Sequence, residues 1–411
     1  MKLLHTADLH LGQIMYQYYD RVDEHDHFFG QLKGWCDEHR PDALVVSGDI
    51  FDIQQPSAAI KAYFNRRFVE LHQRFPDMAI VITAGNHDSA SRIEADSEVW
   101  GMSDVKLVGY GPATDALERE EGWQDAFIVE LGSGFIVALP FMSSFRKEVV
   151  QSILDRVASR NSDGRPVVMM SHQAVGGSDY TGHSDIGNLR MLTDEDMCKG
   201  YDYLALGHIH RPQTIGFDLN DENKEQSTYE SSIMRYSGSA LHVSCDEQYP
   251  HSVSLVEIER RGGEVRLQRL TINELRHFYT LPETGKAAAQ SAEEVFRLVD
   301  EFCKTKGSGY IRLRIDCRAA LPADFVQKIY DKLEATGNEV RFNPKTIWEN
   351  GSTEGDEKEK PVFELAELQQ MTNPLEFVRQ VMDQYPELDI KELERDFEEI
   401  EKEMKKGDLA K

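Results

Sequence analysis

The sequence predicts an α/β fold: a two-sheet β-sandwich flanked by helices, followed by a small α+β unit and a helical C-terminal segment. Three observations predict it. Apolar runs of strand length alternate with helical stripes as far as Gly101, strands then crowd together, and a stretch without aliphatic or aromatic residues, Glu349 to Lys360, sets off a last helical segment.

Taken in order, Leu3 to Ala7 is the first strand. Val22 to His39 carries Phe28, Leu32 and Trp35 at helical spacing, and Ser57 is placed to cap a helix with Ile60, Phe64, Phe68, Leu71 and Phe75 on one face. These stripes read as core, and His25 and His27 in the first helix as solvated. Ala43 to Ser47 and Ala79 to Thr83 are strands, as are Lys106 to Val108, Ala126 to Leu131 and Phe135 to Pro140. A helix from Ser144 to Arg160 presents Val150, Ile153, Leu154 and Val157. Strands resume at Val167 to Ser171 and Tyr203 to Leu206, Asp218 to Ser232 reads as a long surface hairpin loop, and Val253 to Glu259 pairs with Val265 to Leu270 through the turn Arg260 to Gly263.

Residues 1–271 therefore read as one domain and 272–348 as a second. In the second, Ser291 and Glu294 make a capping box, Tyr310 to Asp316 alternates apolar with charged residues, Ala323 to Ala335 is a helix and Glu339 to Phe342 a strand. Residues 349–361 form an acidic polar linker. In residues 362–411, Asn373-Pro374 and Asp389-x-x-Glu392 open two helices, and Ile390, Leu393, Phe397, Ile400 and Met404 draw a narrow seam that suits a partner helix.

The chemistry sits where strands end. In chain order the ends read Asp8-x-His10, Gly48-Asp49-x-x-Asp52, Gly85-Asn86-His87-Asp88, His172 and Gly207-His208-x-His210. Each occurs freely by itself; together, at one kind of location, they point to metal. Asp8, His10, Asp49, Asn86, His172, His208 and His210 offer carboxylate, imidazole and amide without thiolate, which suits Mn²⁺, Fe or Zn²⁺ at high coordination number. That set exceeds one ion's needs. Two ions about 3.5 to 4 Å apart, bridged by Asp49, would use it and stabilise both the attacking and leaving oxygens of a phosphoryl displacement.

Composition bounds the reading. At 411 residues with 40% hydrophobic content the chain can build more than one core. Its 5 cysteines are scattered and odd in number, and no apolar run approaches the length of a membrane span, so a cytoplasmic protein in a reducing compartment is expected. The net charge of −26, of which residues 349–411 hold −10, excludes a general nucleic-acid coat: DNA contact must be local, or aided by divalent metal and a partner.

The order of the strand-end motifs resembles that of the calcineurin-like metallophosphoesterases. The text around them, His5 to Gln13, Gly48 to Asp52, Ala205 to Arg211 and Tyr236 to Ser239, is similar to the branch of that family made up of nuclease subunits in bacterial double-strand-break repair, a likeness covering residues 1–246. The resemblance implies a DNA exonuclease and endonuclease acting at ends and hairpins with two divalent ions, Mn²⁺ foremost. It implies one ion on Asp8, His10, Asp49 and His210, the other on Asp49, Asn86, His172 and His208, His87 as the catalytic residue facing the scissile phosphate, and Asp52 and Asp88 orienting imidazoles. It also implies that 272–348 caps the DNA site, that 362–411 binds an SMC-type ATPase, and that the chain works as a homodimer within a heterotetramer. Two alternatives stay open: a relative acting on nucleotides or phosphoproteins, against which Ile53 follows Asp52 where phosphoprotein phosphatases carry Arg, and a non-catalytic scaffold.

Overall fold

Neighbouring residues of the first strands belong to different cores. Leu3, Val45 and Val81 pack between two sheets, whereas Leu4, Leu44, Val46, Ile80 and Ile82 pack beneath helices. Burial on both faces is why these strands read as unbroken apolar runs. The computed structural model describes residues 1–349 apart from 17, 104, 113–121, 182–190, 194–195, 197, 218–223, 307, 317, 319–320, 337–338 and 344–346. The linker from residue 350 on and the helical tail 362–411 lie outside the described residues.

One sheet has seven strands in the order Gln226–Tyr229, Val265–Thr271, Ser252–Ile258, Lys2–Thr6, Ala43–Ser47, Ala79–Thr83, Val105–Val108. The other has six, in the order Gln213–Thr214, Ile233–Tyr236, Tyr203–Gly207, Val167–His172, Gly134–Ala138, Ile128–Leu131. Lys2–Thr6, Ala43–Ser47 and Ala79–Thr83 run parallel, as do Val167–His172 and Tyr203–Gly207, so the five motif-bearing strands end in register within their sheets. In open α/β sheets ligands bind beyond such carboxyl ends.

Helices Val22–His39, Ala58–Arg74 and Ala90–Gly101 cover the first sheet through Phe28, Phe64, Phe68 and Trp100. Ser57 caps the second of these, its Oγ accepting from the Ile60 N–H at 3.3 Å. Helix Lys147–Arg160 covers the second sheet with Val150, Ile153 and Val157, beginning at Lys147 rather than Ser144.

Residues 278–349 build a separate parallel sheet of Phe278–Leu281, Ser308–Asp316, Glu339–Phe342 and Ile347–Glu349. Helices Ala292–Thr305 and Phe325–Thr336 supply its core, in which Val295, Val299 and Phe302 meet Ile311, Leu313 and Ile329. Met1–Glu349 nonetheless forms one compact unit.

Three elements differ from the sequence reading. Helix Ala90–Gly101 was not expected, because it buries only Ile93 and Trp100 and so has no stripe to detect. Gln226–Tyr229, expected within a loop, adds to the sheet edge beside Val265–Thr271 and buries Tyr229. Strand Phe278–Leu281 is too short to stand out. Cys36, Cys198, Cys245 and Cys303 are free thiols, and no helix among the described residues is long and apolar enough to cross a membrane.

Candidate metal centre

The turns that carry the site are strained in a specific way. Asp8, His10, Asp49 and His208 all have positive φ, at 51°, 45°, 48° and 96°. Non-glycine residues enter this region at a cost that surrounding structure must offset, and such residues gather at functional sites. Here the offset is hydrogen bonding between the two turns: Asp8, His10 and Leu11 donate their N–H groups to the carbonyls of Gly48, Asp49 and Ile50. The Asp88 carboxylate adds to it by accepting from Gly85, Ile50 and Phe51 N–H at 2.8, 3.0 and 2.9 Å. Asp88 was expected to orient an imidazole; its oxygens are instead spent on backbone, and burial beside Asp49 pushes it up to about 6.

Glycine lets the loops close. A Cβ on Gly48 would stand 2.1 Å from His172 Nδ1, and one on Gly207 1.8 Å from the Ser47 carbonyl oxygen.

The seven expected ligands converge. Ligating atoms of Asp8, His10 and His210 lie within 4.8 Å of one another, as do those of Asp8, Asp49 and His172. His172 Nδ1 donates to the Ser47 carbonyl at 2.7 Å, which directs Nε2 at Asn86 Oδ1, 3.1 Å away, and at Asp49 Oδ2, 3.3 Å away. His208 Nδ1 lies 2.9 Å from the same Asn86 oxygen. His210 Nδ1 donates to Glu247 Oε1 at 2.7 Å, so its Nε2 carries a lone pair, and that nitrogen faces His10 Nε2 at 3.3 Å. Asp52 Oδ1 stands 3.3 Å from His10 Nδ1. His87 lies at the mouth, its ring 5.1 Å from that of His10, its N–H donated to Asp49 Oδ1 at 2.8 Å and its Nδ1 donating to the Asp52 carbonyl at 2.9 Å.

The residues fit divalent cations on several counts. Asp8 Oδ2 is buried with no hydrogen-bond partner among the described residues. Nitrogen lone pairs face oxygens and one another across distances that a shared cation would relieve. The electrostatics are those of a site short of positive charge: burial, with Asp49 beside it, pushes the Asp8 carboxyl up to about 7. Burial would lower His172, but Asp49 and Asp8 outweigh it and hold the ring at about 9. Asp49 sits well below the usual carboxylate range, since His172 and His10 overcome its burial. His210 is pushed well below the ordinary value by burial and His10, and stays neutral as a ligand must.

Two contributors carry no mark in the sequence. Glu247, fully buried in the loop after Ser239, fixes the His210 tautomer and has no motif to announce it. His25 was expected to be solvated; it is buried, its Nε2 2.8 Å from the carbonyl of Leu9, the residue between Asp8 and His10, and its Nδ1 2.9 Å from the carbonyl of Arg21.

Carboxylates and imidazoles gathered at strand ends between two sheets, with an imidazole at the mouth, define a phosphoesterase with a site for divalent cations. The family model described as calcineurin-like phosphoesterase matches residues 1–212, and the chain belongs to that family. Among curated relatives it is similar to the SbcD subunit of nuclease SbcCD from Bacillus subtilis, 29% identical over 324 residues, 73% of this chain and 76% of that one. It is similar also to the protein of the same name in Escherichia coli, 28% identical over 276 residues, 62% of this chain and 65% of that one. The "DNA double-strand break repair protein Mre11" of Aeropyrum pernix is 28% identical over 220 residues, 52% of this chain and 49% of that one.

Proposed function

We propose that this chain is a metal-dependent DNA nuclease, an exonuclease and endonuclease that hydrolyses phosphodiester bonds at DNA ends and hairpins in double-strand-break repair, working with an SbcC-like ATPase. The observation that carries the reading is the pair of ligand clusters sharing Asp8, with His87 poised beside them at the mouth. The reach of the similarity supports it: the match to a relative named as a nuclease runs over 324 residues, well past the 212 residues that the phosphoesterase family model matches.

In this reading Asp8, His10, Asp49 and His210 hold one cation and Asp49, Asn86, His172 and His208 the other, with Mn²⁺ the ion of choice. When bound, the ions supply an acidified water as nucleophile and neutralise charge on the phosphoryl oxygens. The chain's own residues do the rest. His87 is fixed through its N–H and Nδ1, which leaves Nε2 to face the scissile phosphate, where it stabilises the transition state or, as the doubly protonated imidazolium, gives the leaving oxygen a proton. Asp52 orients His10, and Asp88 holds the two turns together. Residues 272–348 serve as a capping domain over the DNA site, and residues 362–411 bind the ATPase. The assembly is a heterotetramer around a homodimer of this chain, in the cytoplasm.

The test is cleavage of a linear duplex by the purified chain with Mn²⁺, beside His87→Ala and a small phosphodiester as control substrate. Duplex cleavage lost in the variant supports the reading. Cleavage of the small ester by a chain that leaves DNA intact, with or without the ATPase, overturns it in favour of another phosphoesterase substrate.

A further inference from the structure

Several of the contacts that seat the small unit on the sandwich meet at one pair of buried residues, Arg21 and Glu24, at the start of helix Val22–His39. Tyr310 of strand Ser308–Asp316 donates its hydroxyl to Glu24 Oε2 at 3.0 Å. Arg341 of strand Glu339–Phe342 donates to that hydroxyl at 2.7 Å, and Arg276 bridges Asp23 and Glu339 at 2.6 and 2.7 Å with its other nitrogen 4.0 Å from Glu24. Phe278 stacks on the Tyr310 ring at 4.5 Å, and Arg21 Nε donates to Glu24.

Two short paths leave this pair, and both end in the same ligand cluster, one beside Asp8 and His10 and the other at His210. His25, the next residue in the helix, has its Nε2 2.8 Å from the Leu9 carbonyl between Asp8 and His10. Arg21 donates to the His242 carbonyl and to the Gln13 side chain, which in turn donates to the Val243 carbonyl. The Val243 N–H donates at 3.0 Å to Glu247, whose other oxygen holds His210. Glu274, in the segment leading to the small unit, adds a 3.2 Å contact to the His242 ring. Asp8, His10 and His210 are one of the two ligand clusters. His172 is positioned instead by the Ser47 carbonyl, inside the sandwich.

Resting on the two-cation reading above, we propose that the small α+β unit sets the affinity of one cation position, that framed by Asp8, His10 and His210, through the buried carboxylates Glu24 and Glu247, and acts less on the Asn86, His172 and His208 position, which the paths approach only through the shared Asp8. Glu24 and Glu247 are positioning residues: they touch no cation, and they fix the geometry of groups that would. Groups behind metal ligands change affinity by about 10- to 100-fold when removed. Tyr310, on a strand of the small unit, belongs to the same set.

The experiment is titration of the full chain with Mn²⁺, read by calorimetry and by the electron paramagnetic resonance of free Mn²⁺. The variants are Tyr310→Phe, Glu24→Gln and Glu247→Gln, with Asn86→Ala marking the other position. The wild type takes two equivalents. Each of the three variants weakens one equivalent by about tenfold or more and the other less, while Asn86→Ala weakens the complementary one. Tyr310→Phe removes a single oxygen and keeps the ring stack, so it reports even where Glu24→Gln fails to fold. Unchanged affinity for both equivalents in Tyr310→Phe and Glu247→Gln overturns the coupling, as does equal weakening of both. A wild type that binds one equivalent or none refutes the two-cation reading instead.

Discussion

Gly85→Ala tests the site's construction more sharply than removal of any ligand. The added Cβ would stand 2.1 Å from Asp49 Oδ1, 2.2 Å from Asp49 N and 2.7 Å from Asp49 Cγ. All three are parts of the residue assigned to bridge the cations; the N is backbone, and the carboxylate is held by the His87 N–H. Restoring ordinary contact requires a shift of about 1 Å between the turns bearing Asp49 and Asn86, and a misplacement of about 1 Å at a reacting centre costs roughly 10²-fold in rate. The strain costs about 1–3 kcal/mol of stability. Gly34→Ala is the control: it lies in helix Val22–His39 with nothing within 4 Å of its Cβ, and removing a helical glycine stabilises by about 0.5–1 kcal/mol. The assay is Mn²⁺ titration with chemical denaturation of both variants, followed by duplex cleavage. Gly85→Ala is expected to remain folded, to bind Mn²⁺ more weakly and to cleave about a hundredfold more slowly. If it binds both equivalents like the wild type, the close approach of these turns is not what frames the site.

His87→Ala should keep both Mn²⁺ equivalents and lose about 10²- to 10⁴-fold in cleavage, while Asp49→Ala loses metal as well; retained cleavage in the first would end the role of His87 as acid. Cation binding requires an ionised Asp8, whose carboxyl stands at about 7, and a neutral His172, whose ring stands at about 9. Affinity should therefore rise as pH climbs from about 6 to about 9 with protons released on binding, and calorimetry that finds no dependence on buffer ionisation enthalpy would refute this. Asp88→Asn weakens an acceptor of three backbone N–H groups and should cost about 1–3 kcal/mol in denaturant unfolding; an unchanged midpoint would mean the turns hold without it.

The sandwich and the ligands were legible because both leave local marks. A strand buried on two faces is a run of apolar residues, and a strand-end ligand is an Asp, Asn or His just beyond it, as at Ala43–Ser47 and Asp49. What escaped depends on partners distant in sequence. His25 lies in an acidic, outwardly polar turn of helix, and only the Leu9 carbonyl packed against it distinguishes it from a solvated residue. Glu247 is ordinary text until the fold brings it 2.7 Å from His210. Asp88 adjoins His87 and so reads as an aid to an imidazole, yet the turn points its carboxylate at backbone donors. The positive φ values of Asp8, His10 and Asp49 can be suspected from Asp and His in αL-tolerant turns, but the packing of the two turns decides them.

The acidity of the chain and the chemistry of its site bear on one another through the order of binding. With a net charge of −26, and with the Asp49 carboxylate raising the cost of ionising the buried Asp8 beside it, the side chains of the site by themselves offer a phosphate little positive charge. Bound divalent ions are the largest local charges in such a site and reverse its sign. In the proposed reading occupancy would then precede substrate, with the cations completing the binding surface. Acidity elsewhere on the surface limits non-specific adhesion to nucleic acid, so in the proposed reading contact with DNA would be confined to the surroundings of His87 and to whatever a partner brings.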